Sequence, residues 1–340
     1  GGCYEPLFTY RGLRCWPTAP DFDLLVDGER LAAAGVDLES RWSPEGLEDT
    51  RVVLEAGRDF DLVVLALPLG AIAPDADGRT PCREWLQANP RIHAAATGIN
   101  LVPSVAAQLW FRPSMSELGW ERNPAVVSWA TPLSIWSDMS PVLAHEGWPI
   151  LSAPASTVYL CGVSAHEAPR VSSSDRGAPA SAHARALAAI EDQLSRHGAA
   201  MWPGARTRTG EFDWSALHDP EDRTGPARLS AQYVRVNAEP WDLCDGAAVG
   251  NGRLRPAAHE SGLANVALAG TWTKTSVGTS AVEAAVMSGL AAARALGVEG
   301  RAILGESFMC TPPPVERIGD AESTEVEVHD DFGHERAAAG

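Results

Sequence analysis

The clearest hydrophobic pattern lies near the end of the chain, where an apolar run precedes a polar loop and a helical repeat. Residues 265–270, which read Asn-Val-Ala-Leu-Ala-Gly, predict a short buried strand that ends in glycine. Farther along, Val282, Val286 and Leu290 recur four residues apart, which predicts a helix with one apolar row. Small residues occupy much of the remaining helix surface, so this helix could press closely against a sheet or a flat ring.

Both ends of the predicted helix carry recognisable signals. Ser280 and Glu283 have the S-x-x-E spacing of a capping box, which predicts that the helix starts at this serine. Arg294 lies in the last turn, where a cation is favourable beside the negative helix end. Gly297 is suited to the residue that follows the last turn. The segment is therefore predicted as a strand, a loop and a capped helix.

An earlier pair of apolar runs predicts two more strands. The runs are Val52–Leu54 and Leu62–Leu67, and a connector containing Gly57 suits a tight return between them. The second run is continuous rather than alternating. Such runs are typical of strands buried on both faces of a parallel sheet covered by helices.

Between about residues 80 and 245 the pattern changes to many tryptophans, prolines and short β-like runs. Residues 126–129 and 157–160 are two such runs. One helix is predicted from about Ala180 to His197, with Gly198 placed to stop it. This combination of short strands and one helix indicates a mixed α+β domain inserted between pieces of a sheet domain.

Composition then removes several classes of function. The chain has a net charge of −17 and a single lysine, Lys274, which argues against binding to a phosphate backbone. No run of about 18 apolar residues is present, so no membrane-spanning segment is predicted. Six scattered cysteines without C-x-x-C spacing predict reduced thiols in a cytoplasmic protein. The histidines show no metal-ligand spacing, so no metal site is predicted.

The strand–loop–helix segment also has the chemistry of a cofactor site. A helix N-terminus offers N–H groups and partial positive charge to an oxygen-rich or anionic group. Gly270 and Gly278 would let a ligand approach the backbone closely. The same arrangement also occurs in many unrelated folds, so these features alone do not identify the ligand.

The segment from Ala269, A-G-T-W-T-K-T-S-V-G-T-S-A-V-E-A-A-V-M-S-G, resembles the final motif of the flavin amine oxidase superfamily, with its phytoene desaturase branch the nearest. The positions that match are Gly270, Glu283, Ala285, Ser288, Gly289, Ala292 and Ala293. Residues 57–68 also resemble the strand D-x-V-V-x-A-x-P of that family, which leads back to the substrate domain. The two segments occur in the family's order.

The resemblance implies FAD as the cofactor and an α/β fold. The implied cofactor contacts are Gly270, Thr271, Trp272, Gly278, Thr279, Ser280 and Glu283. Thr271 stands where the family usually has an acid that hydrogen-bonds the ribityl and pyrophosphate region. A threonine hydroxyl can donate and accept a hydrogen bond, but the contact would be weaker.

The resemblance covers only part of a flavin enzyme. The family's G-x-G-x-x-G motif, which seats the pyrophosphate, does not occur, and Gly250-Asn251-Gly252 is interpreted as a turn. With no initiator methionine, the chain is expected to be the C-terminal portion of a longer enzyme. The expected fold is an incomplete FAD-binding Rossmann-like domain with an inserted α+β substrate domain. The expected boundaries are 1–50 for the end of a first substrate-domain segment, 51–75 for cofactor-domain strands, 76–250 for the substrate domain, 251–305 for the rest of the FAD domain and 306–340 for a disordered acidic tail.

No catalytic side chain is identified from the sequence. One hypothesis is that Lys274 takes a direct part in the chemistry. The alternative is that it is the only lysine because a proteome rich in arginine retains few lysines. The candidates for an apolar substrate cavity are Trp110, Trp129, Trp136 and Trp148, with core packing as the alternative for each.

The expected function is an FAD-dependent oxidoreductase that removes hydride from an amine or an apolar isoprenoid-like small molecule. Two alternatives stay open: an inactive binding or structural remnant of the same fold, and a nicotinamide-dependent α/β enzyme.

Overall fold

The structure is a computed structural model that divides into two compact units. The first comprises residues 1–53 and 67–254, and the second comprises residues 54–66 and 255–340. The residues described are 5–10, 12–17, 20–43, 52–121, 126–128, 130–163, 170–246, 248–298 and 302–306. All but Glu306 of the predicted acidic tail therefore lies outside the described residues.

Short strands and helices alternate through the described residues. The strands are β1 Phe8–Tyr10, β2 Leu13–Cys15, β3 Val63–Leu65, β4 Leu101–Val102, β5 Ser104–Phe111, β6 Val127–Ser128, β7 Ile135–Asp138, β8 Ser156–Val163, β9 Tyr233–Asn237, β10 Cys244–Asp245 and β11 Val266–Leu268. The α-helices are α1 Gly28–Ala33, α2 Leu69–Ile72, α3 Arg83–Ala88, α4 Pro90–Gly98, α5 Ala178–Gln193, α6 Ala199–Met201, α7 Asn251–Leu254 and α8 Val282–Ala295.

The first unit is built on a five-stranded antiparallel sheet in the order β6-β7-β8-β5-β9. Strand β5 alternates along its length, because successive side chains point to opposite faces of a sheet. Val105, Ala107, Leu109 and Phe111 are buried on one face, and the intervening residues are partly exposed. The runs predicted at 126–129 and 157–160 correspond to β6 and β8, although Trp129 lies outside the described residues.

The buried face of this sheet packs into an aromatic core. The ring of Trp202 lies 5.1 Å from that of Phe111 and 5.7 Å from that of Trp136, measured between centroids. Ile190 of helix α5 and Leu194, the first residue after that helix, belong to the same cluster. This arrangement agrees with the α+β texture that the sequence predicts for this part of the chain.

The predicted helix is present, but the prediction that Gly198 stops it was wrong. After α5, residues Leu194–Gly198 form a π-helical turn that leads directly into α6. A Cβ atom at Gly198 would lie 2.7 Å from Cδ2 of Phe212. The glycine is therefore required by close packing against an aromatic ring rather than by helix termination.

The second unit contains a two-stranded parallel sheet. Strands β3 and β11 pair in register from Val63 with Val266 to Leu65 with Leu268. The strand predicted within Leu62–Leu67 is thus confirmed, and it pairs in parallel. The expectation that it is buried on both faces was wrong, since Val64 in its centre is 50% exposed. The strand predicted at Val52–Leu54 is wrong, since these exposed residues are not in a strand.

Candidate functional site

The candidate site is the loop between β11 and α8, at the end of a buried strand. All three residues of β11 are buried, and Ala267 and Leu268 are completely so. Gly270 follows with φ of 135°, in a region that favours glycine. Gly278 also has a positive φ, of 64°, and a Cβ atom there would meet nothing within 4 Å. The backbone therefore turns sharply at Gly270, and free space adjoins the backbone at Gly278.

Two hydroxyl groups hold the start of this loop against the helix. The buried Ser288 of α8 accepts a hydrogen bond from the backbone N–H of Gly270, with 2.8 Å between nitrogen and oxygen. The Thr273 hydroxyl lies 2.7 Å from the Ser288 hydroxyl and donates to the carbonyl of Gly270. The glycine is thereby held at both its N–H and its C=O.

An arginine holds the next residue of the loop. Arg255 is 1% exposed, and its Nη1 donates to the backbone carbonyl of Thr271. The Thr271 hydroxyl lies 3.4 Å from that of Ser280. Thr271 therefore has its backbone held by a buried cation and its side chain directed towards the far end of the loop.

The start of α8 differs from the predicted capping box. The helix begins at Val282, and its N-cap is Ala281, which makes no side-chain cap hydrogen bond. Ser280 lies one residue before the cap, and Glu283 is an exposed residue of the first turn. The prediction was wrong because Ala281, which would be the first helical residue after a Ser280 cap, is extended, with φ of −153° and ψ of 154°, so the helix starts one residue later. The N-cap residue itself therefore offers no side-chain acceptor to the first N–H groups of α8.

In an amphipathic surface helix the large apolar side chains are buried, whereas in α8 several of them are exposed. Ala284, Ser288 and Ala292 are buried, so the face that packs in this unit is small. Val282 is 78% exposed, and Val286 is 56% exposed. The apolar row predicted from the sequence is present, but it faces away from the sheet of its own unit. Gly297 follows the helix with φ of 83°, as predicted for a C-terminal glycine.

The remaining predicted contacts occupy the same loop. Trp272 is 1% exposed, so its side chain belongs to the interior of the unit, whereas Thr279 is partly exposed. The backbone N–H of Lys274 donates to the carbonyl of Pro256 at 2.8 Å, and the residue is partly buried. The structure thus brings the predicted cofactor residues together on one loop and helix start.

The predicted substrate-cavity tryptophans do not form one group. Trp136 is completely buried in the aromatic core, so the structure places it in the packing of the sheet rather than on a cavity wall. Trp110 and Trp148 are partly exposed, and their rings meet edge to face at 5.7 Å. Trp129 lies outside the described residues.

The sequence analysis missed the carboxylate that joins these two tryptophans. Glu146 accepts hydrogen bonds from Nε1 of Trp110 and Nε1 of Trp148, and from Nε2 of Gln108. Gln108 and Trp110 are two residues apart on β5, and this spacing is the only local signal that they share a face. The glutamate comes from a segment 36 residues away from Trp110 in sequence, which no local pattern indicates.

Two features are absent from the residues that the structure describes. No group of three or more His, Cys, Asp or Glu side chains there is arranged to hold a metal ion. None of the described helices combines the length and the apolar character that crossing a bilayer requires.

The chain matches the model of a known protein family. The family model described as flavin containing amine oxidoreductase matches residues 34–297. The matched region includes β3, β11, the loop and the whole of α8. No curated protein sequence matches the chain.

Proposed function

Because the chain belongs to the family of flavin-containing amine oxidoreductases, we propose that it is part of an FAD-dependent enzyme that takes hydride from an amine or an apolar isoprenoid-like substrate. The family match supports a flavin-dependent oxidoreductase. The choice of FAD and of the substrate class rests on the resemblance of the terminal motif to the phytoene desaturase branch. The observation that carries the proposal is the uncapped start of α8 beside a glycine-containing loop.

The loop fits a flavin nucleotide in three respects. The N-cap residue Ala281 offers no side-chain acceptor to the N–H groups in the first turn of α8, and such groups suit an anionic or oxygen-rich ligand. Gly278 leaves open space where a side chain would project. Ser288 and Arg255 hold Gly270 and Thr271 in place through hydrogen bonds to their backbone.

These features assign roles to the chain's own residues. The N–H groups at the helix start would bind the cofactor's oxygen atoms, with the hydroxyls of Thr271, Thr279 and Ser280 as further donors and acceptors. Arg255 would orient the loop through the Thr271 carbonyl without touching the cofactor. A bound flavin supplies the redox chemistry, and the protein positions the reactants and excludes water. This division of labour makes small demands on acid–base side chains, which agrees with the absence of a predicted catalytic pair.

We further propose that residues 54–66 and 255–298 are two pieces of the cofactor domain and that the first unit carries the substrate domain. The missing G-x-G-x-x-G motif supports the proposal that these residues are the C-terminal portion of a longer enzyme. The two-strand parallel sheet supports it as well, since parallel strands usually belong to larger sheets covered on both faces.

The proposal is tested by the visible spectrum of the purified chain and by titration with FAD, followed through quenching of flavin fluorescence. A flavin spectrum or saturable quenching is the expected result. Replacing Thr271 with the acid usual in the family, Thr271→Asp, should tighten binding about tenfold, because a carboxylate makes the stronger hydrogen bond. The matched control Thr224→Asp changes an exposed threonine of the first unit and should leave the affinity unchanged.

Other outcomes would favour the alternatives. If the purified chain is colourless and neither the wild type nor Thr271→Asp binds FAD, cofactor binding by this chain is contradicted and an inactive remnant is favoured. Saturable binding of a nicotinamide dinucleotide in place of FAD would favour the nicotinamide-dependent enzyme. Sequencing the DNA upstream is a separate check, because an in-frame stop codon with no G-x-G-x-x-G segment would overturn the proposed longer enzyme.

A further inference from the structure

The first unit contains a cavity that the flavin proposal does not use. It lies where the loop after α2, the start of β4 and the segment between β9 and β10 come together, and it has an empty volume of about 540 Å³, part of it open to solvent. Its walls are mainly apolar. The apolar side chains that define it are those of Trp42, Ile99, Leu101, Val171, Pro240 and Leu243.

Backbone packing fixes one wall of this cavity. A Cβ atom at Gly70 would lie 1.7 Å from the carbonyl oxygen of Pro240, so α2 and the segment before β10 touch through their main chains. The Trp42 ring is held by a hydrogen bond from its Nε1 to the Ser172 carbonyl at 3.0 Å. The apolar walls are therefore held in position by contacts outside the cavity itself.

The cavity is lined by one ion pair and one further charged group, and the ion pair is neutral overall. Arg41 Nη2 lies 2.9 Å from Oδ2 of Asp75, whose side chain is completely buried. The Asp75 carboxylate also accepts hydrogen bonds from the backbone N–H groups of Asp77, Arg79 and Ser173. Its oxygens are therefore satisfied, and the pair adds no net charge to the cavity.

The second charged group has no such partner. Arg170 Nη1 donates to the carbonyl of Pro74, and Nη2 donates to the carbonyls of Ala96 and Thr97 at the end of α4. Within the described part of the chain no carboxylate forms an ion pair with this guanidinium. Because a guanidinium has five N–H donors, three carbonyl bonds leave two for a ligand. The cavity thus combines apolar walls with one uncompensated positive charge.

We propose that this cavity binds a small apolar monocarboxylate, a hydrocarbon chain or ring that ends in one carboxylate group. The carboxylate meets the Arg170 guanidinium, and the hydrocarbon part lies against Trp42, Ile99 and Leu101. A single negative charge matches the single uncompensated cation, whereas a phosphate monoester carries a charge of about −1.5 to −2 at neutral pH. An amine would place a second positive charge beside Arg170. The site goes beyond the proposed flavin function and does not depend on it.

The test is calorimetric titration of the full chain with octanoate, octanol and octylamine, which share one hydrocarbon chain and differ in the head group. Octanoate should bind at least about tenfold more tightly than octanol, since the charge-assisted hydrogen bonds are made only by the carboxylate. Octylamine should bind less tightly than octanol. Equal affinities for octanoate and octanol, or no binding of octanoate up to its solubility limit, would overturn the proposal.

Variants show whether a loss of binding comes from the missing charge of Arg170 or from a disturbed fold. Arg170→Gln should reduce octanoate affinity to that of octanol, and the control Arg185→Gln, on the exposed face of α5, should change neither. Arg170 also holds the end of α4, so Arg170→Lys is a second variant that keeps the charge and should keep the preference for octanoate. Ala238→Phe, which fills the cavity, should weaken both ligands. Retained octanoate preference in a folded Arg170→Gln, judged by its melting temperature, would contradict the assignment, as would unchanged binding by Ala238→Phe.

Discussion

The Ser288 hydroxyl accepts a hydrogen bond from the backbone N–H of Gly270 at 2.8 Å, and this bond joins helix α8 to the loop that precedes it. Ser288 is completely buried, and Gly270 comes immediately after the buried strand β11 and its neighbour Ala269. A buried N–H needs a partner, and the turn at Gly270 removes it from the sheet ladder. The serine therefore replaces the hydrogen bond that the strand can no longer supply.

Replacing this serine, Ser288→Ala, should lower the free energy of unfolding by about 0.5–1.5 kcal/mol, because the partly buried Gly270 N–H loses its hydrogen-bond partner. Urea denaturation of the chain without added flavin measures this change. The control Ser195→Ala removes an exposed hydroxyl and should change the stability by no more than about 0.5 kcal/mol. A Ser288→Ala chain as stable as the control would show that the hydrogen bond contributes nothing.

The elements around this bond were predictable because their signals are local. The apolar run at 266–268 and the helical spacing of Val282, Val286 and Leu290 each follow from a few neighbouring residues. The pairing of β3 with β11 also agrees with the continuous apolar character of both strands. Gly297 adopts the left-handed conformation that its place after the helix predicts.

Other features depend on residues far apart in the sequence and were not predictable. The spacing of Ser280 and Glu283 indicates a capping box, yet Ala281 is extended and α8 starts one residue later, at Val282. Gly198 has the position of a helix stop, but Phe212 packs against it and the helix continues. The cavity at Arg170 is assembled from five separate segments, and no local pattern signals such an arrangement.

Replacement by alanine should have opposite effects on stability at two of the glycines. Gly162→Ala in β8 would place a Cβ atom 1.8 Å from the carbonyl oxygen of Pro132, and this backbone atom can give way only if the main chain shifts. We expect a loss of about 1–3 kcal/mol of stability from overpacking. Gly289→Ala in α8 meets nothing within 4 Å and should stabilise the chain by about 0.5–1 kcal/mol through helix propensity.

Thermal unfolding of the two variants beside wild type measures both effects. A destabilised Gly289→Ala in the absence of flavin would show that this face of α8 is covered by other residues of the chain. An unchanged Gly162→Ala would show that the strand can move away from Pro132.

We expect removal of the negative charge of Asp75 to lower the stability of the chain. Burial alone would raise the pKa of this group, but hydrogen bonds from the N–H groups of Arg79, Ser173 and Asp77 outweigh burial and lower the pKa below its ordinary value of 3.8. Its contribution to stability is therefore present above pH 3.8 and is lost as the pH falls through the folded-state pKa. Asp75→Asn should cost about 2–4 kcal/mol at pH 7, because Arg41 loses its carboxylate.

Urea denaturation at pH 7 tests the prediction, with Asp192→Asn as the control. Asp192 forms an exposed pair with Arg196 on one helix, and such pairs contribute only about 0.3–0.5 kcal/mol. Equal losses in the two variants would contradict the assigned role of Asp75.

His218 is buried, its Nε2 has no hydrogen-bond partner among the residues that the structure describes, and its ring meets that of Trp148 edge to face at 5.1 Å. Burial is the main cause that lowers its pKa below the ordinary value of 6.5, and the charge of Arg112 lowers it further. Asp219 acts in the opposite direction, and Arg228 acts in the same direction as Arg112. The folded chain therefore holds this imidazole in its neutral form at pH 7.

Replacement of this histidine by an apolar ring, His218→Phe, separates its titration from its packing. Below pH 6.5 the unfolded chain binds a proton that the folded chain does not, so wild-type stability falls as the pH decreases towards the folded-state pKa. The slope from this group is at most about 1.4 kcal/mol per pH unit. His218→Phe should lie within about 1 kcal/mol of wild type at pH 7, since it keeps the contact with Trp148 and removes an unpartnered nitrogen. Urea denaturation between pH 7 and pH 5 should then show the variant gaining on wild type as the pH falls, and a constant difference would show that the imidazole does not titrate in this range.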